Sequence, residues 1–326
     1  MPAAEADVRR EFCTLFDSNY LTRAVAMYRS LERTCPSFRL TAFCFDDEAE
    51  RLLTALELPH METVSLAELE AFDRELLSVK GDRTQVEYCW TATPSLPLFM
   101  LDRHPELPEV TYVDADLLFF SDPEPVFTEL GEDSVLIIPH RYAEPYRRFE
   151  ERSGTYNVQF MTFRRDQNGM ATLNWWHDRC IEWCYLRYED GKIGDQGYLN
   201  EFPKLFDGVH VLQHKGGGLA PWNASRYEVR ARNGEVVVDD DPLVFFHFHG
   251  MRLRRDGRHL LHPPEYLVPD GTRELIYGPY VEALDAAAGE VRAVEPGFDR
   301  GLEDPPGIGQ RLRSMAARAR ARLQRT

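Results

Sequence analysis

Residues 12–31 read FCTLFDSNYLTRAVAMYRSL. The apolar run Phe12 to Phe16 has strand character, and Asp17-Ser18-Asn19 supplies turn and cap residues. Leu21, Val25, Tyr28 and Leu31 then recur at helical spacing. A second strand, Leu40 to Phe45, runs into Asp46-Asp47-Glu48 at the head of another helical pattern. The chain therefore opens βαβα, which implies a parallel sheet and an α/β fold. Ligands of such sheets gather at the carboxyl ends of the strands, and Asp17 and Asn19 stand at such an end.

Working outward, a mainly helical stretch is expected to about Arg103. Val110 to Val113 then form a short strand that ends in Asp114-Ala115-Asp116 and resumes as Leu117 to Phe120. Ser134 to Pro139 and Asn157 to Phe163 read as strands, and Leu173 to Arg187 as a Trp-rich helix. GDQGYLN at 194–200, the glycines at 216–218, a hairpin around Asn233-Gly234 and an apolar strand at 243–248 follow. No internal repeat is visible.

The 326 residues carry 38 Lys plus Arg against 54 Asp plus Glu, a formal charge of −16. Such a field repels phosphate, which argues against a nucleic-acid binder. No apolar run reaches the roughly 18–20 residues that span a bilayer, and MPAAEADVRREF lacks the apolar core of a signal peptide, so a cytoplasmic location is expected. The six cysteines lack CxxC or zinc-ribbon spacing and read as reduced and mostly buried. Cys180 and Cys184 are four apart, as a metal pair or, the reading adopted, as two small apolar residues on one helix face. The composition divides a body at 1–290 from a Pro/Gly/acid linker and basic tail at 291–326. The last sixteen residues hold six Arg and no acid. As a short basic helix the tail would rest on an anionic membrane surface; the competing reading is a solvated terminus.

Two acids interrupting a buried strand are costly unless something pairs with them. Asp114 and Asp116 suit a divalent cation, Mn2+ or Mg2+, which takes one or two carboxylates and completes its shell with water and phosphate oxygens; the plainer alternative is a turn cap and a solvated acid. In Phe246-His247-Phe248-His249-Gly250, strand alternation puts both His on one face, offering a third ligand. Arg252, Arg254 and Arg255 follow, and Gly250 permits close backbone approach, as a diphosphate would require.

In order, FCTLFDSNYL at 12–21, YVDADLLFF at 112–120, YNVQFMTFRRD at 156–166, GDQGYLN at 194–200 and FHFHG at 246–250 resemble the GT-A glycosyltransferases, most specifically glycosyltransferase family eight. The resemblance covers about residues 11–255. It implies a Rossmann-like nucleotide-diphospho-sugar transferase domain with a mixed, mainly parallel sheet. It places Thr14, Asp17, Asn19 and Tyr20 around the nucleotide, and Asp114, Asp116 and His247 on the metal with the DxD backbone at Ala115. Gly250 with Arg252 or Arg254 would meet the diphosphate, and Asn157, Asp195 and Gln196 would line the donor sugar and the reacting carbon. Two features depart from the family: Asn157-Val158-Gln159 stands where the family has Asn-Ala-Gly, and His249 is extra.

The implied activity is transfer of a hexose from a nucleotide sugar, with a UDP-sugar expected, to a glycan or lipid-linked acceptor, with retention. The rivals are a noncatalytic nucleotide-sugar-binding protein, a sugar nucleotidyltransferase and a metal phosphohydrolase. Three smaller features carry paired readings. Trp175, Trp176 and Trp183 would stack on sugars or pack a core, and the core is expected. Gly216-Gly217-Gly218 with Ala220-Pro221-Trp222-Asn223 forms an acceptor loop or a plain connection. Lys80-Gly81-Asp82-Arg83 contacts diphosphate or is a solvated loop, the latter preferred.

Overall fold

The computed structural model describes residues 9–305. Its centre is a seven-stranded sheet in the order β3-β2-β1-β4-β7-β6-β8, built from β1 (Arg10–Phe16), β2 (Phe38–Cys44), β3 (Met61–Ser65), β4 (Glu109–Val113), β6 (Val135–Pro139), β7 (Tyr156–Arg164) and β8 (Val209–Val211). The short β5 (Leu117–Phe119) lies outside it. The first four neighbours are parallel, β7 runs antiparallel to both β4 and β6, and β8 pairs parallel with β6. The sheet is thus mixed and mostly parallel.

Local chemistry explains the opening. After β1 the chain turns at 17–20 into α1 (Leu21–Thr34). Asp46 caps α2 (Asp47–Leu56) by accepting from the Ala49 N–H at 2.8 Å, which satisfies one of the donors every helix start leaves unpaired. Along β1 the side chains alternate between two cores. Phe12 and Phe16 join α1, α2 and the helix Gly278–Val294 on one face. Cys13 faces the other core with α6 (Ser95–Arg103) and the helix Gln167–Glu182. The result is a helix, sheet, helix sandwich in which both sheet faces are buried.

Three local expectations are corrected. The segment before Arg103 is interrupted by β3, a five-residue edge strand whose burial is too patchy to mark it, and β8 is a three-residue strand with no fully buried residue. The Trp-rich helix begins at Gln167, where Asp166 caps Gly169 N at 2.8 Å, and stops before Trp183. The strand carrying His247 ends at that residue (Phe245–His247), so His249 lies beyond it.

The strand Phe245–His247 pairs antiparallel with β5, setting Phe245 opposite Phe119, Phe246 opposite Leu118 and His247 opposite Leu117. The helix Gly278–Val294 runs past residue 290, and Leu302–Glu303 pairs in parallel with Leu253–Arg254. The Arg-rich tail lies outside the described residues. No helix among the described residues is long and apolar enough to cross a membrane.

Trp175 packs on Tyr198, Phe202 and Phe206, and Trp176 on Phe163 and Phe202, so both belong to the core. Cys180 and Cys184 are buried in the same cluster. Lys80 pairs with Glu70 at 2.5 Å, and Arg83 stacks on the Tyr185 ring at 4.0 Å.

Candidate active site

The carboxyl ends of β1 and β4 open into a cavity of about 710 Å³. At the β1 end, Asp17 accepts from the Asn19 backbone N–H (3.0 Å), the Asn19 amide (3.1 Å) and the Gln85 amide (2.8 Å). Gln85 opens α5 (Gln85–Ala92) and had no signal of its own in the sequence. Arg23 lies behind this loop, donating to the carbonyls of Asn19 (3.3 Å) and Met251 (3.1 Å) with its guanidinium over the Tyr20 ring at 4.5 Å. One buried cation thereby ties the β1 turn to the segment after His247.

β4 ends where Asp114 begins a turn. The Asp114 N–H donates to Gln159 O at 3.0 Å, and the Phe248 N–H donates to Asp116 O at 3.0 Å. His247 Nε2 reaches Asp116 Oδ1 at 3.1 Å and Asp114 Oδ2 at 3.6 Å, and one ligand atom from each of the three residues lies within 4.8 Å of the others. Tyr112 Oη donates to Asp114 Oδ1 at 2.8 Å.

Burial opposes ionisation of both acids. It pushes the Asp114 carboxyl above its usual range against the pull of His247, with Asp116 adding to the rise. At Asp116 the neighbouring His247 overcomes the burial and holds the carboxyl at about 2. His247 is itself raised, because the two carboxylates outweigh its burial. A single imidazole thus faces two carboxyl groups. A divalent cation and the His247 proton are alternatives for that place. Two carboxylates and one imidazole are a donor set that fits Mn2+ or Mg2+.

Asp195 precedes the 3-10 helix Gln196–Glu201 and is buried; its carbonyl accepts from Trp176 Nε1 at 2.9 Å. Burial first and Asp114 second lift its carboxyl to about 7. The Gln196 amide donates to Ser153 O at 2.8 Å, and Asn157 Oδ1 accepts from the Gln159 N–H at 3.3 Å.

Asp17, Asn19, Tyr20, Asp114, Ala115, Asp116, Asn157, Asp195, Gln196 and His247 all line this one cavity. Four of the expected residues do not. Thr14 is fully buried beneath it. Gly250 (φ +69) turns the chain away, and a Cβ there would come within 2.5 Å of Pro263, so local packing demands the glycine. Arg252 pairs with Glu303 at 3.5 Å on the surface, and Arg254 donates to Arg258 O at 3.2 Å. A run of cations close in sequence to a ligand is therefore turned outward.

Sequence reasoning also missed an aromatic wall. His140 stacks on Tyr142 at 4.7 Å, Trp222 meets His140 edge-on at 5.2 Å and His247 at 5.4 Å, and His249 lies against Trp222 at 5.5 Å. Burial keeps the His140 imidazole neutral, at about 3. Trp222 Nε1 and Asn223 Nδ2 both donate to His140 O at 2.9 Å, so the loop after the glycine run is fixed against the wall.

No protein-family model matches the chain. Two uncharacterized proteins of Bacillus subtilis (strain 168) are similar to it in sequence. YfnF is 35% identical over 249 residues, covering 74% of this chain and 82% of YfnF. YfnD is 31% identical over 293 residues, covering 89% and 94%. Among solved structures, the galactosyltransferase LgtC in complex with donor and acceptor sugar analogs superposes with a TM-score of 0.55 at 16% identity, over 85% of this chain and 95% of that one. The architecture is the GT-A glycosyltransferase fold.

Proposed function

This chain belongs to the family of the Bacillus subtilis proteins YfnF and YfnD, and from that premise and its GT-A fold we propose that it is a metal-dependent glycosyltransferase. It moves a hexose from a nucleotide diphosphate sugar, with UDP as the nucleotide, to a glycan or lipid-linked acceptor with retention. The finer placement is glycosyltransferase family eight. The observation that carries the reading is the meeting of Asp114, Asp116 and His247 in one cavity at the carboxyl end of β4, joining segments far apart in the chain.

Transfer breaks the bond between the anomeric carbon and a phosphate oxygen, and negative charge grows on the leaving diphosphate. A divalent cation, when bound, supplies the charge that stabilises this group and the Lewis acidity that polarises it. Asp114, Asp116 and His247 hold that cation. The nucleotide lies at the β1 end, where Asp17 fixes the turn that presents Asn19 and Tyr20 to it. Asn157 and Gln196 orient the sugar from the floor. Asp195, facing the same space, hydrogen-bonds sugar hydroxyls and in its ionised form stabilises positive charge at the anomeric carbon. The aromatic wall excludes water, and its edges suit the apolar face of a sugar.

A ligand that binds only the native state raises its stability, so thermal melting in UDP, GDP, CDP, ADP and dTDP, each with Mn2+ or chelator, tests the reading. A metal-dependent rise with one nucleotide, lost in Asp116→Asn, is expected. No rise with any of the five overturns it.

A further inference from the structure

Gln159 stands on β7 where the family pattern has glycine, and its side chain stands out chemically. It is fully buried at the cavity floor, yet neither Nε2 nor Oε1 has a hydrogen-bond partner. Its main chain, in contrast, is anchored at both ends, the N–H to Asn157 Oδ1 and the carbonyl to the Asp114 N–H. The backbone at Gln159 is thereby tied to Asp114, one of the candidate metal ligands. Space is kept for it by Gly218, whose added Cβ would lie 3.0 Å from Gln159 Nε2 and 2.5 Å from Ile138 Cγ2.

Each unpaired buried polar atom disfavours folding by roughly ten- to hundredfold, and a Met of similar length would avoid that penalty. An amide offers a donating NH2 group and an accepting carbonyl oxygen side by side. The group that completes it offers the converse pair. Asn157 Nδ2 is likewise buried without a partner on the same floor. The charges around it restrict the ligand further. Asp114, Asp116 and Asp195 share the cavity, and no Lys or Arg is found among the described residues that line it. A carboxylate-bearing sugar finds no cation there beyond the metal.

We propose that Gln159 is a specificity-determining residue for the transferred sugar, pairing with adjacent hydroxyls of an uncharged hexosyl group. The inference rests on the transferase reading above. It selects neutral hexoses over uronic acids and over deoxy sugars that lack one of the paired hydroxyls.

The test compares wild type with Gln159→Met and Gln159→Glu. UDP release with Mn2+ is measured from UDP-glucose, UDP-galactose, their ring-deoxy counterparts and UDP-glucuronate, alongside melting with UDP and Mn2+. Wild type is expected to prefer a neutral hexose over its deoxy counterpart and over UDP-glucuronate by about tenfold or more. In Gln159→Met that preference collapses, the UDP and Mn2+ shift is retained, and the ligand-free protein melts at or above wild type. Gln159→Glu keeps the shape, loses the donor and falls further in kcat/KM. Wild-type preference for UDP-glucuronate, or discrimination left intact in both variants, overturns the inference while sparing the transferase. Absence of any metal-dependent UDP shift in wild type overturns both.

Discussion

Two carboxylate and imidazole clusters lie in this fold, and they are completed differently. Asp73 accepts from the Leu76 N–H at 2.9 Å and Ser95 Oγ at 2.6 Å, and His177 Nε2 lies 2.7 Å away. Although burial opposes it, these partners hold the Asp73 carboxyl below its usual range, and the carboxylate raises His177 despite that residue's own burial. The Asp73 carboxylate is answered from within the chain, while His177 also faces Asp178 at 3.5 Å and with it and Glu75 forms a second, more exposed group that could hold a metal ion. At Asp114, Asp116 and His247 a single imidazole serves two acids. An internally completed cluster joins α4 (Arg74–Val79) and α6 to the helix Gln167–Glu182; an incomplete one leaves charge for a ligand to answer. Composition alone does not separate them, since each contains acid and His. The donors that reach the carboxylates do, since Asp73 has Leu76, Ser95 and His177 whereas Asp116 has His247.

The contrast can be broken in order of expected effect. Asp116→Asn should lower turnover about a thousandfold, the scale of several kcal/mol of lost charge stabilisation, without lowering the melting temperature of the ligand-free protein. A parallel loss of fold would make Asp116 structural. His177→Ala should do the reverse, costing about 3 kcal/mol in urea unfolding while activity per folded molecule stays within about twofold. A selective loss of activity would erase the distinction.

A pH series sharpens the same contrast. His177 is raised when folded, so its contribution is complete below the usual His range and is lost as pH rises through the folded value. Asp73 is lowered, so its contribution is present above the usual Asp range and is lost only as pH falls through its folded value. The stability advantage of wild type over His177→Gln should accordingly be larger at pH 6 than at pH 9. Equal advantages at both would show that the pair does not titrate with folding. The smallest effect is assigned to Arg252→Ala, whose exposed ion pair with Glu303 contributes little. The donor KM should change less than about twofold, and a tenfold rise would return Arg252 to the diphosphate.

Much of the frame was legible because it is local. The turn at Asp17 and the cap at Asp46 are written in adjacent residues, and the break of an apolar strand by Asp114 and Asp116 announces a cost that needs a reason. The edge strands β3 and β8 were not legible, being short and lacking a consistently buried face. The aromatic wall joins His140, Tyr142 and Trp222, with no shared period in the sequence. The placement of Arg252 has a similar origin. Its direction is decided by Glu303, fifty-one residues later, and by backbone pairing of Arg252 with Leu260, neither of which a local pattern can reveal.

The pairing of His247 with Leu117 spans 130 residues, and strand alternation means that a slip of one position would turn the imidazole to the opposite face. Closing so long a loop costs chain entropy before its contacts reward it. During synthesis Asp114 and Asp116 emerge well before their third partner, and a chain arrested in between offers two carboxylates without the site. Metal affinity then reports on completion: a protein that holds the ion has already brought His247 into register with Leu117, 130 residues earlier.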